Sequence, residues 1–310
     1  MKTRRFWGIV FSASSTFLLG MVAMNYFRDT YGLFRNVRGR SISIYSDERT
    51  SKYLLAYNYV PVNFEAYIIG PSLSANLNPK RIADFRIYNL SMMGANITEQ
   101  KAVVLKAMEK SAPKFVILCL HPYLTADHGM KTAMINPRKY YGALGSVSLY
   151  KSYLLEFIRN RNLMPSKFPA DQYNDYGCNH YNALLQKMPV EDKINQELTQ
   201  KDGPPTRIDS IARIEFNELM AEFASKKVRI IAYFHPLPFR IFDKFRVSLC
   251  AYQAEMTNAL KDKAVIIDFN SAPYEYFTKD LTNYIDHGHL SDKGETYLTK
   301  EILRQSCRIR

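Results

Sequence analysis

Cysteine is scarce in this chain. Its 310 residues include four, Cys119, Cys178, Cys250 and Cys307, with no CxxC pair and no Cys/His ligand spacing, which argues against a metal centre and against a disulfide scaffold. No signature recurs at the roughly 20–50 residue period of repeat proteins, which argues against a solenoid or propeller. Acidic residues are short as well: 29 Asp and Glu against 42 Lys and Arg leave a formal net charge of +13. A basic balance invites a nucleic-acid reading, but zinc-finger, basic-zipper and RNA-binding signatures are all missing, so no nucleic-acid partner is expected. Part of the excess falls between residues 28 and 52. Basic side chains there suit anionic lipid headgroups or an anionic glycan, or simply stay solvated.

What is present begins with apolar content. At 47% hydrophobic and 23% charged residues, a chain of this length can bury a large core, and one main domain is expected. Residues 6–27, "FWGIVFSASSTFLLGMVAMNYF", contain no charged side chain. At about 1.5 Å per residue they span a hydrocarbon layer of about 30 Å. Lys2, Arg4 and Arg5 precede the run as in a signal sequence, but Met24 in "VAMN" spoils the small-residue cleavage site, so residues 1–27 read as an uncleaved signal anchor. Trp7 and Tyr26 suit the two membrane interfaces better than a buried core helix would. Arg28, Arg35, Arg38 and Arg40 rival the charges before the run. The dense charge of the short N-terminal tail, and the readiness of long domains to translocate, favour the N-terminus inside. The expected arrangement is a single-pass protein of the cytoplasmic membrane with a periplasmic or otherwise extracytoplasmic body. In that compartment Cys250 and Cys307 are the expected pair, because Cys119 sits in an apolar strand.

Residues 28–62 read as a basic, aromatic juxtamembrane connector. The rhythm then changes. "AYIIG" (66–70), "FRIYNLS" (85–91), "KFVILCL" (114–120), "VRIIAYF" (228–234) and "AVIIDF" (264–269) are short β-branched and aromatic runs of the kind that fill a sheet covered on both faces. Between them lie helical patterns at 98–112, with Thr98 as N-cap, at 207–227, at 243–262 and at 293–306. Strand and helix alternation at this spacing predicts a three-layer α/β/α sandwich with a five-stranded parallel sheet over residues 63–310. The interval from about 121 to 206, rich in Tyr, Asn, Pro and Lys, is too long for an ordinary connection. It reads as an insertion over the strand ends, a lid or substrate platform.

"IIGPS" ends the first strand with Gly70, Pro71 and Ser72, and a serine at that edge can face substrate. It needs a base, and the base needs an orienting group. "IDHGHL" supplies both: Asp286 and His289 are three apart, as on one face of a helical turn, with His287 a less suitable competitor. In "YNLSMMGAN", Gly94 follows the second strand, so its N–H and that of Ser72 can meet one oxyanion. Read singly, Ser72 also fits a helix N-cap and His289 a loop histidine with Asp286 as a cap. His235, between "YF" and "PLP", reads as part of a rigid loop. The tyrosines of the insertion serve either as sugar-stacking surfaces or as its own core.

Taken in order, "IIGPS", "YNLSMMG" and "DHGHLSDKG" resemble the three blocks of the SGNH/GDSL hydrolase superfamily. The resemblance implies its flavodoxin-like α/β/α fold and esterase or acyl-transfer chemistry without a cofactor. It implies Ser72, Asp286 and His289 as triad, with Ser72 and Gly94 lining the oxyanion hole. The anchor with an extracytoplasmic body is similar to the envelope-modifying branch, the proteins of alginate O-acetylation and teichoic-acid D-alanylation. A cell-envelope polysaccharide as substrate and a multi-pass membrane acyltransferase as acyl donor follow as implied partners. Two positions depart from the pattern. His121, Pro122 and Tyr123 stand where the family has Gly-x-Asn-Asp, which leaves His121 or Tyr123 as third donor, and Pro71 precedes the serine. Both departures suit the alternative, a degenerate glycan-binding or scaffold component of a polysaccharide synthesis or export complex.

Overall fold

The computed structural model describes residues 2–44, 47–82, 84–126, 135–136, 138–164, 173–180, 188–201 and 203–307. The chain opens with α1 (Lys2–Arg28), then α2 (Glu48–Leu55) and α3 (Tyr59–Asn63). β1 (Ala66–Ile69) leads into α4 (Ser72–Ala75). β2 (Ile87–Asn89), α5 (Ile97–Met108) and β3 (Phe115–Leu120) follow. The long interval holds α6 (Pro122–Ala126), α7 (Lys139–Gly142), α8 (Ser148–Asn160) and α9 (Val190–Thr199). After it come α10 (Ser210–Ser225), β4 (Arg229–Phe234), α11 (Phe239–Lys244), α12 (Arg246–Ala259), β5 (Ala264–Asp268), α13 (Glu275–Lys279) and α14 (Asp292–Cys307).

The five strands pair in parallel in the order β2-β1-β3-β4-β5, the flavodoxin-like order whose switch point lies between β1 and β3. Alternate strand residues serve opposite faces. Tyr67, Ile69, Val116, Leu118, Ile230 and Ala232 join a core with Val103 and Val104 of α5 and Phe216 and Leu219 of α10. Ile68, Ile117, Cys119, Ile231, Tyr233 and Ile267 join a second core with Phe277 of α13 and Leu298 and Ile302 of α14. The expected α/β/α sandwich is what forms, because the β-branched runs have helices on both sides to bury them.

Among the described residues α1 is the one helix long and apolar enough to cross a membrane. It is not a core helix: Phe11 is 76% exposed and Leu19 70%. It stops at Asp29, which has φ +45° and whose buried carboxylate accepts from the N–H groups of Leu33 and Arg35 (2.8 and 3.1 Å).

The stretch read as a connector belongs to the body. Leu33, Val37, Tyr53, Leu54, Leu55, Tyr59 and Val60 are buried in the same core as α5 and α10. α2 buries Tyr53, Leu54 and Leu55 there, and its Glu48, Ser51 and Lys52 are buried as well, so the inward face is not an apolar stripe that the sequence displays. The N-cap of α5 also differs from expectation. Asn96 accepts from the Glu99 N–H at 3.1 Å in a capping box, and Thr98 lies inside the helix.

Part of the insertion falls outside the described residues, and the rest is wall more than lid. Ile194 of α9 packs with Leu237, Ile241 and Phe242. Residues 173–180 cover the open edge of β2, where the Tyr176 carbonyl accepts from the Asn89 N–H at 2.8 Å. Gly177 (φ +74°) lies so close to that edge that a Cβ would stand 2.4 Å from the Asn89 oxygen. Cys250 is exposed and free, and the side chain of Cys307, its expected partner, lies outside the described residues.

Candidate active site

The turn after β1 is set by packing beneath it. Gly70 has φ +154°, and a Cβ there would stand 2.6 Å from both the Cys119 Cβ and the Ser74 Oγ. The side chain of Gln100 clasps the same peptide, its Nε2 donating to the Gly70 carbonyl at 2.9 Å and its Oε1 accepting from the Gly70 N–H at 3.4 Å. Pro71 takes the N-cap position with extended backbone, and its carbonyl accepts from the Ser74 N–H and Oγ (both 3.1 Å). Ser72 is therefore the first helical residue rather than a cap, half-buried, and its N–H has no carbonyl one turn earlier to accept it. Gly70→Ala should destabilise the fold by about 2–4 kcal/mol through the clash and the backbone strain. Chemical denaturation measures this, and an unchanged midpoint would mean that the turn tolerates a Cβ.

Asp286 and His289 meet, though not on a helical turn. Residues 285–289 form a tight loop closed by the Ile285 N–H donating to the His289 carbonyl at 2.9 Å and by a bridge between Tyr284 and Leu290. Asp286 organises its interior. One carboxylate oxygen accepts from the Gly288 and His289 N–H groups (2.8 and 2.7 Å), and the other pairs with His289 Nδ1 at 2.8 Å. Burial works against ionisation of Asp286, but the bonds from the His289 ring and from both amides outweigh it and hold the carboxyl well below the usual carboxylate range. The His289 ring is thus held through Nδ1 by Asp286. His287 makes no hydrogen bond to Asp286 among those described.

The loop lies against the serine's own helix. A Cβ on Gly288 would be 3.0 Å from Leu73 Cδ2, Asn76 Nδ2 donates to the Leu290 carbonyl at 2.8 Å, and Ala75 packs on Ile285. From below, the buried His235 donates Nε2–H to the Gly288 carbonyl at 2.8 Å. Burial pushes the His235 imidazole down to about 4, only partly offset by that bond. This histidine positions the loop; the flanking prolines in the sequence suggested rigidity but not its target.

The opposite wall is the Gly94 loop. Gly94 is exposed at φ +58°, and no group among the described residues accepts its N–H. The loop is clamped by α2: Met93 donates its N–H to Glu48 at 2.9 Å and accepts from Arg49 at 2.5 Å, and Lys52 donates to the Ser91 carbonyl. Arg49 also pairs with Glu99 at 2.8 Å. Lys52 is fully buried, and desolvation depresses its ammonium against the support of Glu48. These clamps come from the supposed connector, where nothing in the sequence tied them to Gly94.

His121 ends β3 beside β1, at the sheet's switch point. Its Nδ1 accepts from the Tyr123 N–H at 3.3 Å, which leaves the proton on Nε2. Burial, then the neighbouring His235, His289 and His287, drives its imidazole well below the ordinary histidine value, so it is a neutral donor. Tyr123 is 44% exposed with its ring 4.7 Å from that of His121. Among the described residues no group of three or more His, Cys, Asp or Glu is arranged to hold a metal ion.

No protein-family model matches the chain, and no curated protein does. Among solved structures it is similar to "a putative platelet activating factor from Streptococcus pneumonia", at 9% identity and a TM-score of 0.46, over 83% of this chain and 90% of that one.

Proposed function

We propose that this protein is a membrane-anchored serine hydrolase of the SGNH kind, an esterase or O-acyltransferase. The observation that carries this is the Asp286–His289 bond on a loop packed against the turn that presents Ser72. Ser72 Oγ attacks an acyl carbonyl while His289 Nε2 takes its proton. Asp286 fixes the imidazole tautomer and stabilises the imidazolium. The N–H groups of Ser72 and Gly94 and the Nε2–H of His121 receive the developing oxyanion. His289 then returns the proton to the departing alkoxide, and water or a sugar hydroxyl releases the acyl group from Ser72 by the reverse path. His121 takes the role of the absent asparagine because a neutral imidazole held by Tyr123 offers one N–H in a fixed direction.

Substrate and setting extend this reading. The apolar α1 supports a single-pass anchor, the dense positive charge of its short N-terminal tail favours the N-terminus inside and the body outside, and the basic residues beyond it suit an anionic surface. A cell-envelope polysaccharide is the proposed acyl acceptor or ester, with a multi-pass membrane acyltransferase as donor if the reaction runs toward transfer. Labelling with a fluorophosphonate probe tests the chemistry. The full chain should label at Ser72, found by peptide mass, and Ser72→Ala should not. A folded wild-type chain that fails to label favours the binding-only alternative.

A further inference from the structure

α8 is the described element whose outward face is most poorly explained by a water-soluble body. Leu154 is 57% exposed and Phe157 52%, three residues apart on one side of the helix, with Val147 (72%) before it and Leu163 (61%) and Met164 (51%) after it. Soluble proteins seldom leave such a run uncovered. Its opposite side is buried through Leu149 and Ser152.

The place of this helix says what covers it. α8 is fastened to the last turns of α1: Tyr153 donates its hydroxyl to Asn25 Oδ1 at 2.7 Å, and Arg28 pairs with Glu156 and stands 5.7 Å from the centre of the Tyr153 ring. Asn25 Nδ2 donates to the Leu144 carbonyl at 2.7 Å, holding the approach to α8 as well. Counting from Phe6 at about 1.5 Å per residue, Asn25 lies about 30 Å along α1, one hydrocarbon thickness. The exposed stripe therefore sits level with the interface at the C-terminal end of the span. Its charge suits that position. Lys151 and Arg161 are exposed beside the apolar residues, and Glu156, the one acidic residue between 138 and 164, is already paired with Arg28.

From this geometry we infer that α8 is an interfacial helix, with Leu154, Phe157, Leu163 and Met164 inserted among the lipids around α1 and Lys151 and Arg161 at the headgroups. The inference rests on α1 spanning the bilayer and is independent of the serine chemistry. Apolar side chains with basic flanks on one helix are the pattern of in-plane membrane binding, which electrostatic attraction to anionic lipids strengthens. Two attachments, one across the bilayer and one along it, fix the tilt of the body as a single span cannot.

The test uses the full chain in vesicles of phosphatidylcholine with phosphatidylglycerol, made with lipids brominated near the top of the acyl chains. Trp7 is the one native tryptophan. In a Trp7→Phe background, Leu154→Trp and Phe157→Trp each add a single reporter, and Val247→Trp, at a position 87% exposed on α12, serves as the water-facing control. A side chain sunk about 5–10 Å into the headgroup–acyl boundary is within reach of shallow bromines, so the reporters at 154 and 157 should lose about half of their emission and the one at 247 very little. Quenching of Trp7 in the unaltered chain, by lipids brominated at any depth, separates the two readings. If Trp7 is quenched while 154 and 157 behave like 247, the span stands and the interfacial helix is overturned. If no depth of bromine quenches Trp7, both fall. Shielding of 154 and 157 from bromine that grows with protein density means that a second copy covers the face, which also overturns the inference.

Discussion

Ser72→Ala and His289→Ala should each remove nearly all turnover of a soluble aryl ester, on the order of 10³-fold or more, and the double variant should lose little further. The members of a serine triad act as one device, because without the base the hydroxyl is a poor nucleophile and without the hydroxyl the base has nothing to activate. Ser72→Ala should alter folding little, since Ser72 makes no hydrogen bond among the described residues that its removal would strand, whereas His289→Ala leaves the buried Asp286 carboxylate without its ring partner and should lower the melting temperature as well. Asp286→Asn is a different case. It removes the charge that stabilises the imidazolium, and it also weakens the bonds that Gly288 and His289 make to a buried carboxylate, so activity and melting temperature should fall together. Wild-type-like hydrolysis by Ser72→Ala would end the catalytic reading, whereas strictly additive losses in the double variant would mean that Ser72 and His289 do not work as a pair.

Acid should destabilise this protein earlier than its carboxylates alone would dictate. His235 is buried and neutral, with its imidazole at about 4 when folded against an ordinary 6.5. The unfolded chain therefore binds the extra proton first, and stability present above about pH 6.5 is lost as the pH falls toward 4. A shift of that size corresponds to about 3 kcal/mol for this group, with His121 adding in the same direction. At about 2 °C per kcal/mol for a domain of this size, the melting temperature of the full chain in detergent should drop by about 6 °C or more between pH 7 and pH 4.5. His235→Gln keeps a donor for the Gly288 carbonyl but does not titrate, so its slope should be visibly shallower. Equal slopes for the two chains would show that protonation elsewhere governs the acid response.

Sequence reasoning succeeded where one residue type has one local use. The five apolar runs form the five strands because β-branched residues between helices bury on both faces, and Asp286 and His289 meet because three residues of chain cannot carry them far apart. It failed where the information is tertiary. The charges of "ERTSKYLL" disguise the buried face of α2, and nothing local tells Glu48, Arg49 and Lys52 that a loop about forty residues downstream needs clamping. His235 and His121 were visible as residues at strand ends. Their tautomers, however, follow from a Gly288 carbonyl and a Tyr123 amide that only the fold brings near. The geometry of the Asp286 loop was misjudged because a three-residue offset serves a tight carboxylate-centred turn as well as a helix.

The wall formed by residues 173–180 also governs the order in which the chain can finish folding. Asn179 donates its N–H to the Ala75 carbonyl and Cys178 its thiol to that of Asn76, contacts that join residues about a hundred positions apart. As the chain is made, β1, the Ser72 helix and β2 emerge long before this segment. Until it arrives, the Asn89 amide at the rim of β2 has no partner, and an open strand rim recruits other chains. Closing so long a loop is also slow compared with forming local contacts. The nascent protein thus holds Ser72 beside an unfinished sheet rim until the segment at 173–180 has been made.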